Sequence, residues 1–148
     1  MGRMSCLSFS RFWVPCLGAG LLVWPGASAW AAAPLRCEVT YAGATQVVQA
    51  FAVQDPYSVP AVDIRGRFRF KAVVVGTPTE VERIHLYVYQ HTATQPVLVQ
   101  HAKYLPPFSR SAVGGPVPLT GQQHVYAGPM ERELIYSCTL EGLSLIHI

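Results

Sequence analysis

From residue 35 onward, apolar and polar residues alternate along much of the chain, the period of two that a half-buried strand requires. Leu35, Cys37, Val39 and Tyr41 alternate with Arg36, Glu38 and Thr40, which predicts a first strand with one apolar face. Ala42-Gly43-Ala44 then turns the chain into a second strand over 45–53. Gln54 to Pro60 reads as a loop, because Pro56 and Pro60 donate no ladder hydrogen bond and bias the residues before them toward extended shapes. Val62 to Val75 is the longest strand expected, bent at Gly66. Thr77-Pro78-Thr79-Glu80 reverses the chain into Val81 to Gln90, and His91-Thr92-Ala93-Thr94 leads on to Val97 to Tyr104 as a hairpin or meander. Leu105 to Thr120, with four prolines and two glycines, is expected to be a long irregular connection. Gln122 to Tyr126 and Glu131 to Leu140 complete the set, separated by Gly128-Pro129, with Leu134, Tyr136, Cys138 and Leu140 on one face.

Apolar residues nowhere recur at helical spacing for three turns. About seven strands in a chain of this length predict an all-β fold, a single small antiparallel β-sandwich, with a flattened barrel as the alternative. Tyr136 two residues before Cys138 is similar to the spacing at the tyrosine corner of immunoglobulin domains. Cys37 and Cys138 are much too far apart for the usual immunoglobulin bridge, and all three tryptophans lie at or before residue 30, so no family follows.

The two ends have a different character. Arg3 and Arg11 precede an apolar run from Phe12 to Trp24, followed by small residues up to Ala31, so residues 1–31 are expected to be a cleaved secretory signal. A run of about thirteen residues is too short to cross a hydrocarbon core, which needs roughly twenty. Residues 143–148, Leu-Ser-Leu-Ile-His-Ile, match what a common transposase library adapter would encode and are expected to be an artefact tail. An all-β domain over 32–142 remains, in which nine Lys and Arg stand against eight Asp and Glu. A charge of +1 lacks the clear basic excess of a nucleic-acid binder, so no nucleic-acid partner is expected, and no later segment is long or apolar enough to be a transmembrane segment.

Export also changes the meaning of the cysteines. Cys37 and Cys138, near the two ends of the domain, are expected to form a disulfide in an oxidising compartment, the periplasm or outside the cell.

Four patterns are candidates for chemistry. Arg65, Arg67, Arg69 and Lys71 occupy every second position, which in a straight strand lines four cations along one face as contacts for an anionic glycan, lipid or protein of the envelope. A solvated sheet face, neutralised by Glu131 and Glu133, gives the same pattern. Tyr87, Tyr89, Tyr104 and Phe108 are a candidate aromatic recognition patch if the Leu105 to Phe108 segment does not cover them. His85, His101 and His124 are weak metal candidates, and the register that relates His85 to His101 is not readable from the turn. No Gly-x-Ser-x-Gly, His-Glu-x-x-His or phosphate-cradling glycine loop is present, and carboxylates are few. The expected function is an exported binding module without a cofactor, not an enzyme; the alternative is a metal-handling protein or small hydrolase built on the histidines.

Overall fold

Alternation becomes architecture because each strand commits its apolar positions to one side and two sheets close over them. A computed structural model of the protein describes residues 35–77, 80–109 and 115–141, so the expected signal at 1–31 and tail at 143–148 lie outside the described residues. In chain order the strands are β1 (Leu35–Tyr41), β2 (Ala44–Ala50), β3 (Ala52–Val53), β4 (Val62–Ile64), β5 (Phe68–Gly76), β6 (Val81–Gln90), β7 (Val97–Tyr104), β8 (Val117–Pro118), β9 (Gln123–Ala127) and β10 (Arg132–Leu140), with a short 3-10 turn at Pro56–Ser58. The first sheet runs β2-β1-β10-β8 with β9 also on β10; the second runs β3-β5-β6-β7 with β4 also on β5. All pairings are antiparallel except the short β3–β5 contact. The fold is therefore the expected β-sandwich, and among the described residues no closed barrel forms.

The core lies between the two inner faces. Leu35, Cys37 and Val39 of β1 and Leu134, Tyr136, Cys138 and Leu140 of β10 are buried against Phe68, Phe70 and Val74 of β5 and Ile84, Leu86 and Val88 of β6. Burying each such large apolar side chain stabilises the fold by about 1.5–3 kcal/mol before chain entropy is counted. Two ring contacts join the sheets, Phe70 to Tyr136 at 5.1 Å and Tyr41 to Phe68 at 5.3 Å. The Tyr136 hydroxyl donates to Gln100 Oε1 at 3.0 Å, which satisfies its polar end inside the sandwich. Burial, followed by the Tyr104 charge, pushes the Tyr136 phenol up to about 12. Cys37 and Cys138 stand directly opposite each other on β1 and β10 and are joined, both fully buried. The bridge thus fastens two neighbours within one sheet.

Three expected elements come out differently. The strand foreseen over 45–53 breaks at Phe51, where the chain leaves the first sheet (Ala50 opposite Leu35) and enters the second (Ala52 beside Val74). The long strand foreseen over 62–75 is a tight hairpin: Arg65, Gly66 and Arg67 form its turn and Ile64 pairs with Phe68. Asp63 Oδ2 accepts the Gly66 N–H at 2.9 Å, and Arg65 and Gly66 both take positive φ, a conformation that suits this Asp-x-x-Gly stretch. The irregular connection rejoins the first sheet early, through β8 and through Thr120, whose Oγ1 accepts the Cys138 N–H at 2.9 Å. Among the described residues no helix is long and apolar enough to cross a membrane.

Candidate functional site

Because side chains alternate across a strand, the face of β5, β6 and β7 turned away from the core is set by register alone. It consists of three cross-strand rows: Arg69, Tyr89 and Leu98; Lys71, Tyr87 and His101; Val73, His85 and Lys103. A bulge in β7 creates this arrangement. Val88 is opposite Gln100 and Tyr89 is opposite Leu98, so Val99 is the extra residue and packs against the core. Without it His101 and Leu98 would lie on opposite faces.

Down the middle of this face runs a stack of rings. Tyr87 lies 4.4 Å from His101 with the planes 2° apart, and 5.9 Å from His85 at 11°. His85 and His101 are 5.2 Å apart at 13°, and Tyr89 continues the row 6.2 Å from Tyr87. One imidazole N–H joins the histidines, since His85 Nδ1 and His101 Nε2 are 2.9 Å apart. Tyr87 and His101 lie face to face, whereas His85 meets His101 edge to edge through the facing nitrogens, and the two contacts hold the rings' orientation on two rigid strands.

Cations frame the stack. Lys71 Nζ sits 6.0 Å from the Tyr87 ring centre, Arg69 flanks Tyr89, and Lys103 and Arg83 bear on His85. Burial first, then the charges of His101, Lys103 and Arg83, hold the His85 imidazole below its usual range. Tyr87 is pushed upward by burial and by Tyr89 and Tyr57. Among the described residues, no carboxylate comes within ion-pair distance of Arg65, Arg67, Arg69, Lys71 or Lys103. Asp63 is the cross-strand neighbour of Arg69, but its carboxylate serves the Gly66 N–H. The neutralisation by Glu131 and Glu133 foreseen as one reading of the stripe does not occur, since Glu133 is engaged in the other sheet.

The sequence candidates are therefore regrouped. The four-cation stripe does not exist as a straight row: Arg69 and Lys71 belong to the face, while Arg65 and Arg67 sit in the hairpin turn. The aromatic patch divides as well. Tyr87 and Tyr89 face outward, whereas Tyr104 is opposite Ile84 and packs with Phe108 against the core, so the segment carrying Phe108 does not cover the tyrosines. His85 and His101 meet, while His124 lies on β9 in the first sheet. Lys103 was not singled out from sequence, although its place two residues after His101 on the same strand face was the available signal. Among the described residues no group of three His, Cys, Asp or Glu gathers into a metal cluster. A groove of about 310 Å³ at the β2 and β4 edge contains neither a histidine nor a carboxylate.

On the first sheet, His124 Nδ1 lies 2.6 Å from Glu133 Oε1, and the Tyr126 hydroxyl donates to that same oxygen at 2.7 Å. These bonds, that of His124 foremost, hold the Glu133 carboxyl below the usual range. Since the folded state depresses this group, the unfolded chain binds more protons in the acid window. Glu133 thus contributes stability above the ordinary glutamate range and loses it as pH falls through the lowered folded value. A carbon-13 titration of Glu133 is expected to show its midpoint rise in His124→Ala and rise less in Tyr126→Phe; an unchanged midpoint in both removes this account.

Comparison with protein-family models, with curated proteins and with solved structures finds no match to this chain.

Proposed function

We propose that the protein is an exported binding module whose β5-β6-β7 face holds an anionic partner of the cell envelope, a phosphate- or carboxylate-bearing glycan or lipid head group. One observation carries the reading: Arg69, Lys71 and Lys103 surround an ordered row of tyrosine and histidine rings, and no carboxylate of the described residues neutralises them. Cations that already have protein partners contribute little to a ligand, whereas unpaired ones attract anions and steer their approach. Ring edges with hydroxyl and imidazole groups add hydrogen-bonding positions between the charges. The buried disulfide supports a location outside the reducing cytoplasm, in the periplasm or beyond. Binding, not catalysis, is the activity proposed.

The test measures binding of the purified protein to immobilised lipopolysaccharide and to a polyuronate, with dextran as the neutral control. Three charge contacts, from the half-buried Arg69 and Lys71 and the exposed Lys103, at about 0.5–1 kcal/mol each amount to roughly 10- to 100-fold in affinity. The Arg69→Ser, Lys71→Ser, Lys103→Ser variant is expected to lose that much, and raised salt to weaken the wild type in the same direction. Arg65→Ser with Arg67→Ser, in the turn, is expected to cost less. Equal retention of both polymers by the triple variant and the wild type would remove the proposal.

A further inference from the structure

The two histidines at the centre of this face are joined by one N–H, and that bond determines how the face responds to acid. We infer that the His85–His101 pair is a pH-sensitive element of the anion-binding face: on mild acidification it takes up one proton without losing its hydrogen bond, and the face then holds its anion more tightly. This rests on the anion-binding reading above. His85 Nδ1 and His101 Nε2 meet edge to edge at 2.9 Å, with the ring planes 13° apart. Whichever ring donates, the neutral pair has one outer nitrogen that carries a proton and one that carries a lone pair. A proton from solvent adds to that lone pair, and the N–H between the rings stays in place and becomes charge-assisted. Both outer nitrogens, His85 Nε2 and His101 Nδ1, are then donors. Among the described residues neither has a hydrogen-bond partner, so both can meet an anion. A second proton would set two N–H groups head-on across the same gap, so the pair stops at one added charge until it opens.

Charge around the pair sets the direction of the effect. On β5, Lys71 stands across from Tyr87 and Arg69 across from Tyr89; on β7, Lys103 stands across from His85. On β6, Arg83 bears on His85 and pairs with Glu82 at 3.3 Å. Asp63 of β4, opposite Arg69, serves the Gly66 N–H, and Asp55 accepts the N–H of Tyr57, which bears on Tyr87 from the 3-10 turn. His91, past the end of β6, donates its N–H to the Arg67 carbonyl. Among the described residues no carboxylate pairs with either imidazole. Burial and this cationic field oppose a proton on His85. A bound anion cancels part of that field and accepts from the outer N–H groups, so it favours the protonated pair. By linkage the proton favours the anion, and affinity rises as pH falls through the histidine range.

The test measures affinity of the purified, disulfide-intact protein for a polyuronate at about pH 7.5 and about pH 5.5. Carboxylates ionise near pH 4 and stay charged at both values, whereas phosphate monoesters change charge near pH 6, so the polyuronate leaves the protein as the titrating partner. One added charge contact is expected to raise wild-type affinity about 2- to 5-fold at the lower pH. The His85→Gln, His101→Gln double variant, which keeps polar side chains on the face, is expected to bind equally at both, while His91→Gln and His124→Gln keep the rise. A nitrogen-15 titration of the wild-type imidazoles without polymer, which needs no variant to fold, is expected to show the two rings sharing one proton step across that window. Binding at neither pH would remove the anion-binding reading and this inference with it. Equal binding at the two values, a rise that persists in the double variant, or two separate one-proton steps would overturn the inference alone.

Discussion

Joint replacement of Cys37 and Cys138 by alanine is expected to lower unfolding stability by about 3–5 kcal/mol, measured by urea unfolding against the oxidised parent. The bridge closes a loop with a sequence separation of 101 residues. In the chain-entropy model a loop of about that length restricts the unfolded state by roughly 4.7 kcal/mol. Residual structure in the unfolded chain reduces the figure, and loss of two fully buried sulfurs from the core adds to it. Against a total of about 5–15 kcal/mol for a domain of ordinary size, the loss is large enough to leave the variant partly unfolded at 37 °C. Because both sulfurs are inaccessible, thiol reductant is expected to act on the native protein only through opening of the β1–β10 pair, so reduction should speed up steeply in urea. A variant within 1 kcal/mol of the parent would show that the bridge records the fold without supporting it.

Gly76→Ala is the second substitution with a large expected effect, about 2–4 kcal/mol. At the end of β5 the register against β6 shifts, and Gly76 takes φ +139°, a region that residues with a side chain rarely enter. A β-carbon there would collide with the Glu80 carbonyl oxygen and stand 3.0 Å from the Glu82 nitrogen, both backbone atoms. That carbonyl is also fixed by the Thr77 N–H at 2.8 Å, so relief requires remodelling the β5–β6 turn. Gly43→Ala is the control: its φ of +76° is equally left-handed, but nothing lies within 4 Å of the added carbon, and only a backbone cost of about 1 kcal/mol is expected. Parallel thermal melts of the two variants separate crowding from conformation. Equal shifts would show that φ alone matters at Gly76.

Strands with one apolar face and no crossing between sheets were readable from sequence. The inward residues of β1 and β10 are the ones that alternation assigns, and the disulfide follows from their placement near the ends of the domain. The hairpin at Arg65-Gly66-Arg67 was hidden for a definite reason. Ile64 and Phe68 are direct cross-strand partners, hence on one face, and residues four apart in a straight strand also share a face. A three-residue turn therefore preserves the alternation it interrupts, and only Asp63 and Gly66 betray it. The crossing at Phe51 is hidden similarly, since Val48, Ala50 and Ala72 meet the same interior from either sheet. Within the site, His85, Tyr87 and Tyr89 on one face could be read directly from β6. Their contact with His101 could not, because the bulge at Val99 shifts the pairing by one residue and leaves no mark in the composition.

The connectivity of the two sheets also orders their assembly in time. β5, β6 and β7 follow one another and pair through short reversals, so this sheet can zip up as soon as those residues are available. β1 has β2 at hand but lacks β10, which arrives about a hundred residues later, as the last described strand. Until then the apolar side of β1 has no completed sheet to close against, and the Cys37 thiol has no Cys138 to meet. Long-range pairing of this kind places folding toward the slow, millisecond-to-second end of small domains. A chain emerging from its N-terminus must therefore wait with its first strand unfinished, shielded from other chains or at risk of pairing with them.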